Sequence, residues 1–229
     1  MNTSGYFITG TDTDVGKTVI TLGLMQYLQQ QGKTVAAMKP VASGCAKTSG
    51  GLRNDDAVQL LQQSSICLDY DLVNPYAFEP AIAPHIAAAQ CGVRIEPEKI
   101  QRVYVALTEQ ADCVLVEGVG GWQVPLNDEV TMADLAVLLG LDVILVVGIR
   151  LGCLNHALLT AAAIQSSGLK LAGWVANCLP SIQAEAADEN INALKSMISA
   201  PLLGIVPALP RVSPKAVAGC LSLQAASNT

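Results

Sequence analysis

The sequence is poor in aromatic residues and in charge. Only 4% of its 229 residues are aromatic and 14% are charged, whereas 51% are hydrophobic. Because Ala, Val, Leu and Ile make up most of the hydrophobic residues, the composition favours helices packed on a buried parallel sheet. The length predicts one large α/β domain over residues 1–229. The stretch after residue 211 is small and polar and shows no pattern of its own.

An excess of positive charge and a long apolar run are also missing. The formal net charge of −6 argues against nucleic-acid and membrane-surface partners. The longest apolar run, Leu135–Ile149, is too short to span a bilayer and has Asp142 in its middle. The first residues, MNTSGYFITG, lack the basic and apolar regions of a secretory signal. We therefore expect a soluble protein.

The cysteines lack the spacing of a disulfide framework or a zinc site. There are seven of them, an odd number, and none forms a Cys-x-x-Cys pair. Scattered thiols of this kind are typical of a reducing compartment. The sequence therefore predicts a cytoplasmic protein.

Apolar segments rich in β-branched residues alternate with helical patterns. The predicted strands are Tyr6–Thr9, Thr34–Met38, Cys113–Glu117, Val143–Gly148, Leu171–Ala176 and Leu202–Val206. The predicted helices are Lys17–Gln31, Asp55–Gln63, Pro97–Gln110, Met132–Leu139, Leu154–Ser167 and Ala184–Ile198. This alternation predicts a mainly parallel sheet with helices on both faces and ligands at the carboxyl ends of the strands. The stretch Pro40–Arg53 reads as a long irregular loop, a kind that is often functional.

A phosphate-binding loop follows the first predicted strand. The segment Gly10–Thr18 reads GTDTDVGKT and leads into a helix, which is the context of a Walker A loop. Thr11 stands where the first glycine usually lies, but Gly-Lys-Thr between a strand and a helix remains a strong signal. Backbone N–H groups at the helix start would bind phosphate, Lys17 would add charge, and the Thr18 hydroxyl would ligate Mg²⁺. The loop predicts a P-loop NTPase-like fold that binds Mg-ATP.

A second candidate for the metal site is Glu117. It ends an apolar strand and precedes Gly118 and Gly120. An acid at this place in a nucleotide-binding sheet approaches the metal beside the loop threonine. Taken alone, Glu117 fits a metal ligand or a solvated loop residue equally well; the Walker loop favours the ligand.

Taken together, these segments resemble the dethiobiotin synthase family. The resemblance rests on Gly10–Thr18, Lys39–Gly44, Gly51–Ala57, Asn74–Tyr76, Ala83–His85, Val116–Gly118, Leu151–His156 and Gly173–Asn177. These motifs cover nearly all of the first 210 residues, and Lys-Pro-Val-Ala-Ser-Gly combined with the Walker loop is highly specific.

The resemblance implies a complete reaction. The family takes 7,8-diaminononanoate, CO₂ and ATP, with Mg²⁺ as the metal. One amine forms a carbamate whose oxygen attacks the γ-phosphate, and the second amine closes the ureido ring with release of ADP and phosphate. The family also implies a homodimer in which the neighbouring subunit holds the substrate carboxylate.

The resemblance assigns roles to individual residues. It implies catalytic roles for Lys39, Lys17 and Thr13 and metal binding by Thr18, Asp56 and Glu117. It implies that ATP is bound by Asp14, Val15, Gly16, Lys17, Thr18, Val19, Asp56, Glu117, Gly118, Val119, Gly120, Asn177, Cys178, Pro207, Ala208 and Leu209. It implies that substrate is bound by Ser43, Gly152, Cys153 and Asn155.

Several of these residues also have ordinary structural interpretations. Without the family context, Lys39 would be a solvated strand-end residue, Ser43 a loop residue and Asn177 a turn former. The stretch Gly152–Asn155 could be a plain helix start with Cys153 as a packing residue, and Asp55 could be the helix N-cap beside Asp56. Asp14 lies where relatives often carry glutamate. Being one methylene shorter, it is not expected to reach an amine.

Two other functions compete with the synthase. One is a partitioning-type switch ATPase, which places a lysine five residues before the main loop lysine; that position here is Asp12. The other is a related amide-forming synthetase acting on a larger carboxylate. Such enzymes usually carry a further glutaminase domain, for which 229 residues are too few.

Overall fold

The structure is a computed structural model that describes residues 4–179 and 186–223. Its centre is a six-stranded sheet in the order β10-β9-β8-β1-β7-β2, and all of its pairings are parallel. The strands are β1 (Ser4–Gly10), β2 (Val35–Met38), β3 (Val41–Ala42), β4 (Ala46–Thr48), β5 (Gly51–Arg53), β6 (Tyr76–Ala77), β7 (Cys113–Gly121), β8 (Asp142–Gly148), β9 (Leu171–Asn177) and β10 (Leu202–Val206). All six strands predicted from the sequence form this central sheet.

Helices connect successive strands of the sheet. They are α1 (Lys17–Gln30), α2 (Asp55–Gln63), α3 (Tyr70–Val73), α4 (Pro84–Gln90), α5 (Pro97–Thr108), α6 (Met132–Leu139), α7 (Cys153–Ser166), α8 (Ala187–Met197) and α9 (Pro214–Ala218). The six predicted helices are confirmed to within a few residues at their ends. The first residues predicted for α8 lie outside the described part of the chain. None of the described helices is long and apolar enough to cross a membrane.

Both faces of the sheet are buried because alternate strand residues enter two separate cores. In β1, Phe7 belongs to one core and Ile8 to the other. The core that contains Phe7 also includes residues of α5, α6, α7 and α8. The core that contains Ile8 includes residues of α1, α2 and α9. Continuous apolar strands such as β7 are the expected result of this two-sided burial.

The prediction of an irregular loop over Pro40–Arg53 was wrong. Its beginning, β3, pairs in parallel with β6, and its end folds into an antiparallel hairpin of β4 and β5. These strands are two or three residues long. Such short strands depend on partners, one of them more than thirty residues away, and leave no period in the sequence.

The stretch after residue 211 is also more ordered than its composition suggests. Ser213 accepts a hydrogen bond from Ala216 N–H and begins α9, which packs on α1. A Cβ atom at Gly23 of α1 would lie 2.3 Å from Val217, so glycine allows the two helices to approach closely. The apolar contact of Val217 therefore extends the core beyond the last strand.

Candidate active site

A cavity of about 860 Å³ opens at the carboxyl edge of the sheet, beside β1, β2 and β7. It is lined by Thr13, Asp14, Gly16, Lys17, Thr18, Val19, Lys39, Ser43, Asn54, Asp56, Ala81, Ile82, Ala83, Pro84, Glu117, Val119, Gly120 and Val124. The carboxyl edge is where ligands bind in open α/β sheets. Most of the phosphate-loop, metal and catalytic residues expected from the sequence therefore meet in one place.

The phosphate loop has a backbone conformation that only small residues adopt easily. Asp14 has φ 58° and Gly16 has φ 87°, both in the left-handed region. The Asn177 side chain supports the loop from behind by donating a 2.9 Å hydrogen bond to the Val15 carbonyl. A Cβ at position 16 would lie 2.2 Å from Asn177 Nδ2. Glycine is thus required at position 16 both by φ and by the close approach of Asn177.

Lys17 is buried at the first position of α1, with its ammonium turned back onto the loop. Its Nζ donates a 2.9 Å hydrogen bond to the Asp12 carbonyl. Burial lowers the pKa of Lys17 to about 8; attraction to Glu117 opposes this, while repulsion from Lys39 adds to it. An anion that entered the cavity would therefore stabilise the charged form of Lys17.

Lys39 lies between two carboxylates because of the register of the sheet. Met38 of β2 pairs with Val116 of β7, so the residues that follow, Lys39 and Glu117, are neighbours. Lys39 Nζ lies 2.8 Å from Glu117 Oε1 and 2.6 Å from Asp56 Oδ2. Burial alone would lower the pKa of Lys39, but Glu117 and Asp56 together raise it to about 12. The side chain is therefore a buried positive charge near neutral pH.

The oxygen atoms around this lysine fit Mg²⁺. The Thr18 hydroxyl donates a 2.8 Å hydrogen bond to Glu117 Oε1, and Glu117 is completely buried. Its other oxygen, Oε2, is buried and makes no hydrogen bond to any residue that the structure describes. A buried carboxylate oxygen without a partner is costly unless a ligand satisfies it. One hydroxyl and two carboxylates are hard oxygen donors that leave room for phosphate oxygens and water, as Mg²⁺ prefers.

Asp56 reaches this group because α2 begins just before it. The N-cap is Asn54, whose side chain accepts a 3.2 Å hydrogen bond from Ala57 N–H, and not Asp55 as the sequence suggested. The Asn54 backbone has the extended conformation of an N-cap. Asn54 also lines the cavity. The strong preference of asparagine for N-cap positions was the signal in the sequence that could have identified it.

Ser43 lines the same cavity with an unsatisfied polar atom. Its Oγ is buried and has no hydrogen-bond partner in the described part of the chain. Apolar residues, to which the sequence analysis gave no role, also line the cavity. They are Ala81, Ile82, Ala83, Pro84 and Val124. The cavity therefore combines charged and apolar residues.

The residues expected at the adenine lie together but outside the cavity lining. Val206 pairs with Asn177, so Cys178 and the residues after β10 come side by side. Pro207 and Ala208 are exposed and Leu209 is half-buried. Val15, a member of the phosphate loop, and Gly118, which lies against Phe7 and Met132, are also absent from the lining.

The helix start expected to hold a carboxylate also lies outside the cavity lining. Gly152 precedes α7 with φ 90°, Cys153 is buried and Asn155 is exposed. Arg150, whose role the sequence analysis missed, forms an ion pair with Asp12 of the phosphate loop. Burial alone would raise the pKa of Asp12, but a hydrogen bond from Thr13 N–H and the charge of the Arg150 guanidinium lower it below its usual value. The start of α7 is thereby tied to the phosphate loop.

Solved structures show where this fold occurs. The chain is similar to the MinC:MinD cell division complex of Aquifex aeolicus, with a TM-score of 0.61, 18% identity, and coverage of 98% of this chain and 95% of that chain. It is also similar to the septum site-determining protein MinD of Pyrococcus horikoshii, solved with Mg-ADP, with a TM-score of 0.55, 19% identity, and coverage of 98% and 90%. These likenesses establish a shared P-loop α/β fold.

Sequence comparisons give the family. A family model described as an AAA domain matches residues 4–216. The chain is 51% identical over 220 residues to the ATP-dependent dethiobiotin synthetase BioD of Pseudomonas aeruginosa strain UCBPP-PA14, covering 96% of both chains. It is 49% identical over 223 residues to BioD of Cellvibrio japonicus, covering 97% of both. With about half of its residues identical over nearly the full length of these relatives, the chain belongs to the family of ATP-dependent dethiobiotin synthetases.

Proposed function

We propose that this chain closes the ureido ring of dethiobiotin from 7,8-diaminononanoate, CO₂ and ATP, in the penultimate step of biotin synthesis. The observation that carries the proposal is the Lys39 ammonium, which is buried against Glu117 and Asp56 and faces the phosphate-loop cavity. Lys39 does not belong to the phosphate loop, so its charge is available to a group other than the nucleotide's bound phosphates. A carbamate is such a group.

The reaction needs positive charge because its participants are anionic. The first amine adds to CO₂ and loses a proton to give a carbamate. A carbamate oxygen attacks the γ-phosphorus, the bond to the bridging oxygen breaks, and ADP leaves. The second amine then attacks the carbamoyl carbon of the mixed anhydride and expels phosphate. Lys39 and Lys17 would neutralise the carbamate and the transferring phosphoryl group, a form of electrostatic stabilisation.

Each residue near the phosphates has a separate task in this proposal. Lys17 and the backbone N–H groups of the loop bind the β- and γ-phosphates. Thr18, Asp56 and Glu117 would hold Mg²⁺, which supplies charge neutralisation on the phosphate oxygens when bound. Thr13, which lines the cavity, contributes to the region where the γ-phosphate is transferred.

The remainder of the cavity suits a diamine with a hydrocarbon chain. The buried Ser43 hydroxyl lacks a partner among the described residues and can bind the amine or the carbamate. The apolar residues Ile82 and Pro84 can contact methylene groups. Adenine would lie between Asn177 and the exposed pair Pro207 and Ala208.

The cations that line the cavity, Lys17 and Lys39, are assigned above to the phosphates and the carbamate, so the substrate carboxylate would need a further anion site. We propose a homodimer in which N–H groups at the start of α7, with Asn155, hold the carboxylate bound to the neighbouring subunit. Asn155 and Gly152 are exposed and therefore accessible to a second chain. We place the enzyme in the cytoplasm, since Cys67 and Cys91 carry exposed, unpaired thiols that a reducing compartment would preserve.

The function is tested by the dependence of ATP turnover on the other substrates. We expect ADP formation only when diaminononanoate and bicarbonate are both supplied, with one dethiobiotin formed per ADP. ADP released at the same rate without the diamine would instead indicate a simple ATPase.

The shared site is tested by mixing Lys39→Ala with Asn155→Ala, which should raise the KM for the diamine, at a diamine concentration where Asn155→Ala alone is nearly inactive. In a dimer of Asn155→Ala and Lys39→Ala chains, one site would carry both defects and the other neither. If half of the dimers are mixed, about a quarter of the wild-type activity should return. No recovery, where mass spectrometry shows that subunits have exchanged, would contradict a carboxylate site supplied by the neighbour.

A further inference from the structure

The backbone of Lys39 is held on both sides by one short segment of the chain. Its N–H donates a 2.8 Å hydrogen bond to the Val73 carbonyl, and its carbonyl accepts a 2.7 Å hydrogen bond from Asn74 Nδ2. Lys39 precedes Pro40, whose ring already restricts the backbone of the preceding residue. The direction in which the Lys39 side chain leaves the strand is therefore set by residues 73–74.

Asn74 uses every hydrogen-bonding position of its amide group except one lone pair. Nδ2 donates to the carbonyls of Lys39 and of Tyr76, the latter at 3.1 Å, and Oδ1 accepts a 3.0 Å hydrogen bond from the Tyr70 hydroxyl. Asn74 is buried, with 3% of its surface exposed. A buried polar group of this kind is fixed in one orientation because water cannot replace its partners.

Tyr70 carries the connection to the helix that bears Asp56. Its hydroxyl accepts a 2.8 Å hydrogen bond from the backbone N–H of Asn54, the N-cap of α2. Asp56 lies two residues further on and binds Lys39 Nζ at 2.6 Å. The contacts therefore form a ring: Lys39 carbonyl, Asn74, Tyr70, Asn54, Asp56, and back to the Lys39 ammonium.

We infer that Asn74 and Tyr70 are positioning residues that fix the catalytic lysine against Asp56, and that they act on the rate of phosphoryl transfer without touching substrate. The inference rests on the proposed function, in which Lys39 faces the transferring group. Neither residue lines the cavity. The inference also gives a role to the motif Asn74-Pro75-Tyr76, which the proposed reaction itself does not explain.

The expected effect is on the rate and not on nucleotide affinity. A displacement of about 1 Å at a catalytic group can lower a rate by about a hundredfold. The phosphate loop is built from β1 and α1 and has no hydrogen bond to Asn74 or Tyr70 among those of the described residues. ATP binding measured without Mg²⁺, which Asp56 would ligate, should therefore survive a change in the ring of contacts.

The first test is Tyr70→Phe with Tyr76→Phe as its matched control. Phenylalanine at position 70 keeps the ring over which the Arg53 guanidinium lies, 4.0 Å from the centroid, and removes only the hydroxyl. The Tyr76 hydroxyl also accepts the backbone N–H of a helix N-cap, Glu96 of α5, at 3.0 Å. Tyr76→Phe thus removes a hydrogen bond of the same kind and similar burial. The Tyr76 hydroxyl is not a member of the ring of contacts that holds Lys39.

We expect Tyr70→Phe to lower kcat by about tenfold, counted per ATP-binding site, with the dissociation constant of ATP, measured without Mg²⁺, changed less than about twofold. Tyr76→Phe should leave kcat per site within about twofold of wild type, even if both variants lose similar thermal stability. Equal kcat per site in the two variants would overturn the inference, because a purely structural role predicts no difference.

A second variant keeps the inference testable if Tyr70→Phe does not fold. Asn74→Asp preserves size and the acceptor for Tyr70 but removes both donors, and we expect a loss of kcat at least as large. Where all variants fold, the double variant Tyr70→Phe, Asn74→Asp should cost little more than the worse single variant, since both act through one ring. Independent, multiplying losses would contradict a shared chain of contacts.

The outcome can be separated from that of the proposed function. Wild-type protein that forms no dethiobiotin refutes the function. In that case a crystal structure of Tyr70→Phe still tests the positioning, because the inference requires the Lys39 ammonium to move away from Asp56. An unchanged Lys39–Asp56 contact in that structure would refute the inference alone.

Discussion

Replacing Lys39 by alanine should abolish turnover while leaving Mg-ATP binding nearly intact. Lys39 Nζ is the only atom of this side chain that reaches both carboxylates, and its contacts are to Asp56 and Glu117, not to the phosphate loop. Loss of one positioned charge at a transferring group costs about 10²–10³ in kcat, or about 3–4 kcal/mol. We therefore expect kcat to fall by at least about a hundredfold.

Stability must be followed in the same variant because the substitution leaves a buried carboxylate. Asp56 is 39% exposed at its side chain and can turn to water, but Glu117 is 0% exposed and keeps only the Thr18 hydroxyl. Removing one partner of a buried ion pair typically costs about 3–5 kcal/mol. Mg²⁺ should restore much of this loss, so the thermal midpoint of Lys39→Ala should rise more with Mg²⁺ than that of wild type.

The assay pairs this variant with Lys17→Ala. Isothermal titration with Mg-ATP measures binding, and dethiobiotin formation measures turnover. Lys17→Ala should weaken nucleotide binding as well as turnover, since Lys17 contacts the loop itself. If Lys39→Ala loses nucleotide affinity as severely as Lys17→Ala, then Lys39 is part of the nucleotide site and the role given to it here is wrong.

Two further predictions follow from the loop. Because the pKa of Lys17 is lowered to about 8, its charge is lost as the pH rises above that value. ATP affinity, measured by titration, should therefore fall by up to about tenfold per pH unit above this pH. Lys17→Met should lack this pH dependence. Gly16→Ala should weaken ATP binding at least about tenfold because its Cβ would meet Asn177 at 2.2 Å. Gly32→Ala shares a positive φ of 80° but has nothing within 4 Å, so it should keep wild-type affinity and show only the strain of about 1–2 kcal/mol in unfolding.

The sequence predicted those parts of the fold that depend on long, regular patterns. The strand at Cys113 begins with a continuous apolar run and the helix at Lys17 spans 14 residues, and both formed as expected. The pairing of β3 with β6 and the hairpin of β4 and β5 were missed, since such short strands exist through contacts with other segments. The same reason explains why α9 was not expected: its capping serine was visible, but its partner, α1, was not.

The site residues also divide into those that follow from a local motif and those that depend on contacts between distant segments. Lys17 and Thr18 follow from a local motif, whereas the meeting of Lys39, Asp56 and Glu117 depends on the register of two strands. The family resemblance indicated Lys39 and Asp56, whereas Glu117 was already indicated by its place at the end of an apolar strand in a sheet with a Walker loop. The ion pair of Arg150 with Asp12 joins positions far apart in the chain, and nothing local in the sequence indicates it.

The origin of the oxygen on the released phosphate tests the central claim most directly, because it identifies the group that attacks the γ-phosphorus. The enzyme is given diaminononanoate, ATP and bicarbonate labelled with heavy oxygen in ordinary water, without carbonic anhydrase. Phosphate is read by mass spectrometry and corrected for exchange of bicarbonate with solvent. If the carbamate attacks, one phosphate oxygen comes from bicarbonate and carries the label. Phosphate that contains only solvent oxygen after this correction would show that water is the nucleophile and would contradict the carbamate mechanism.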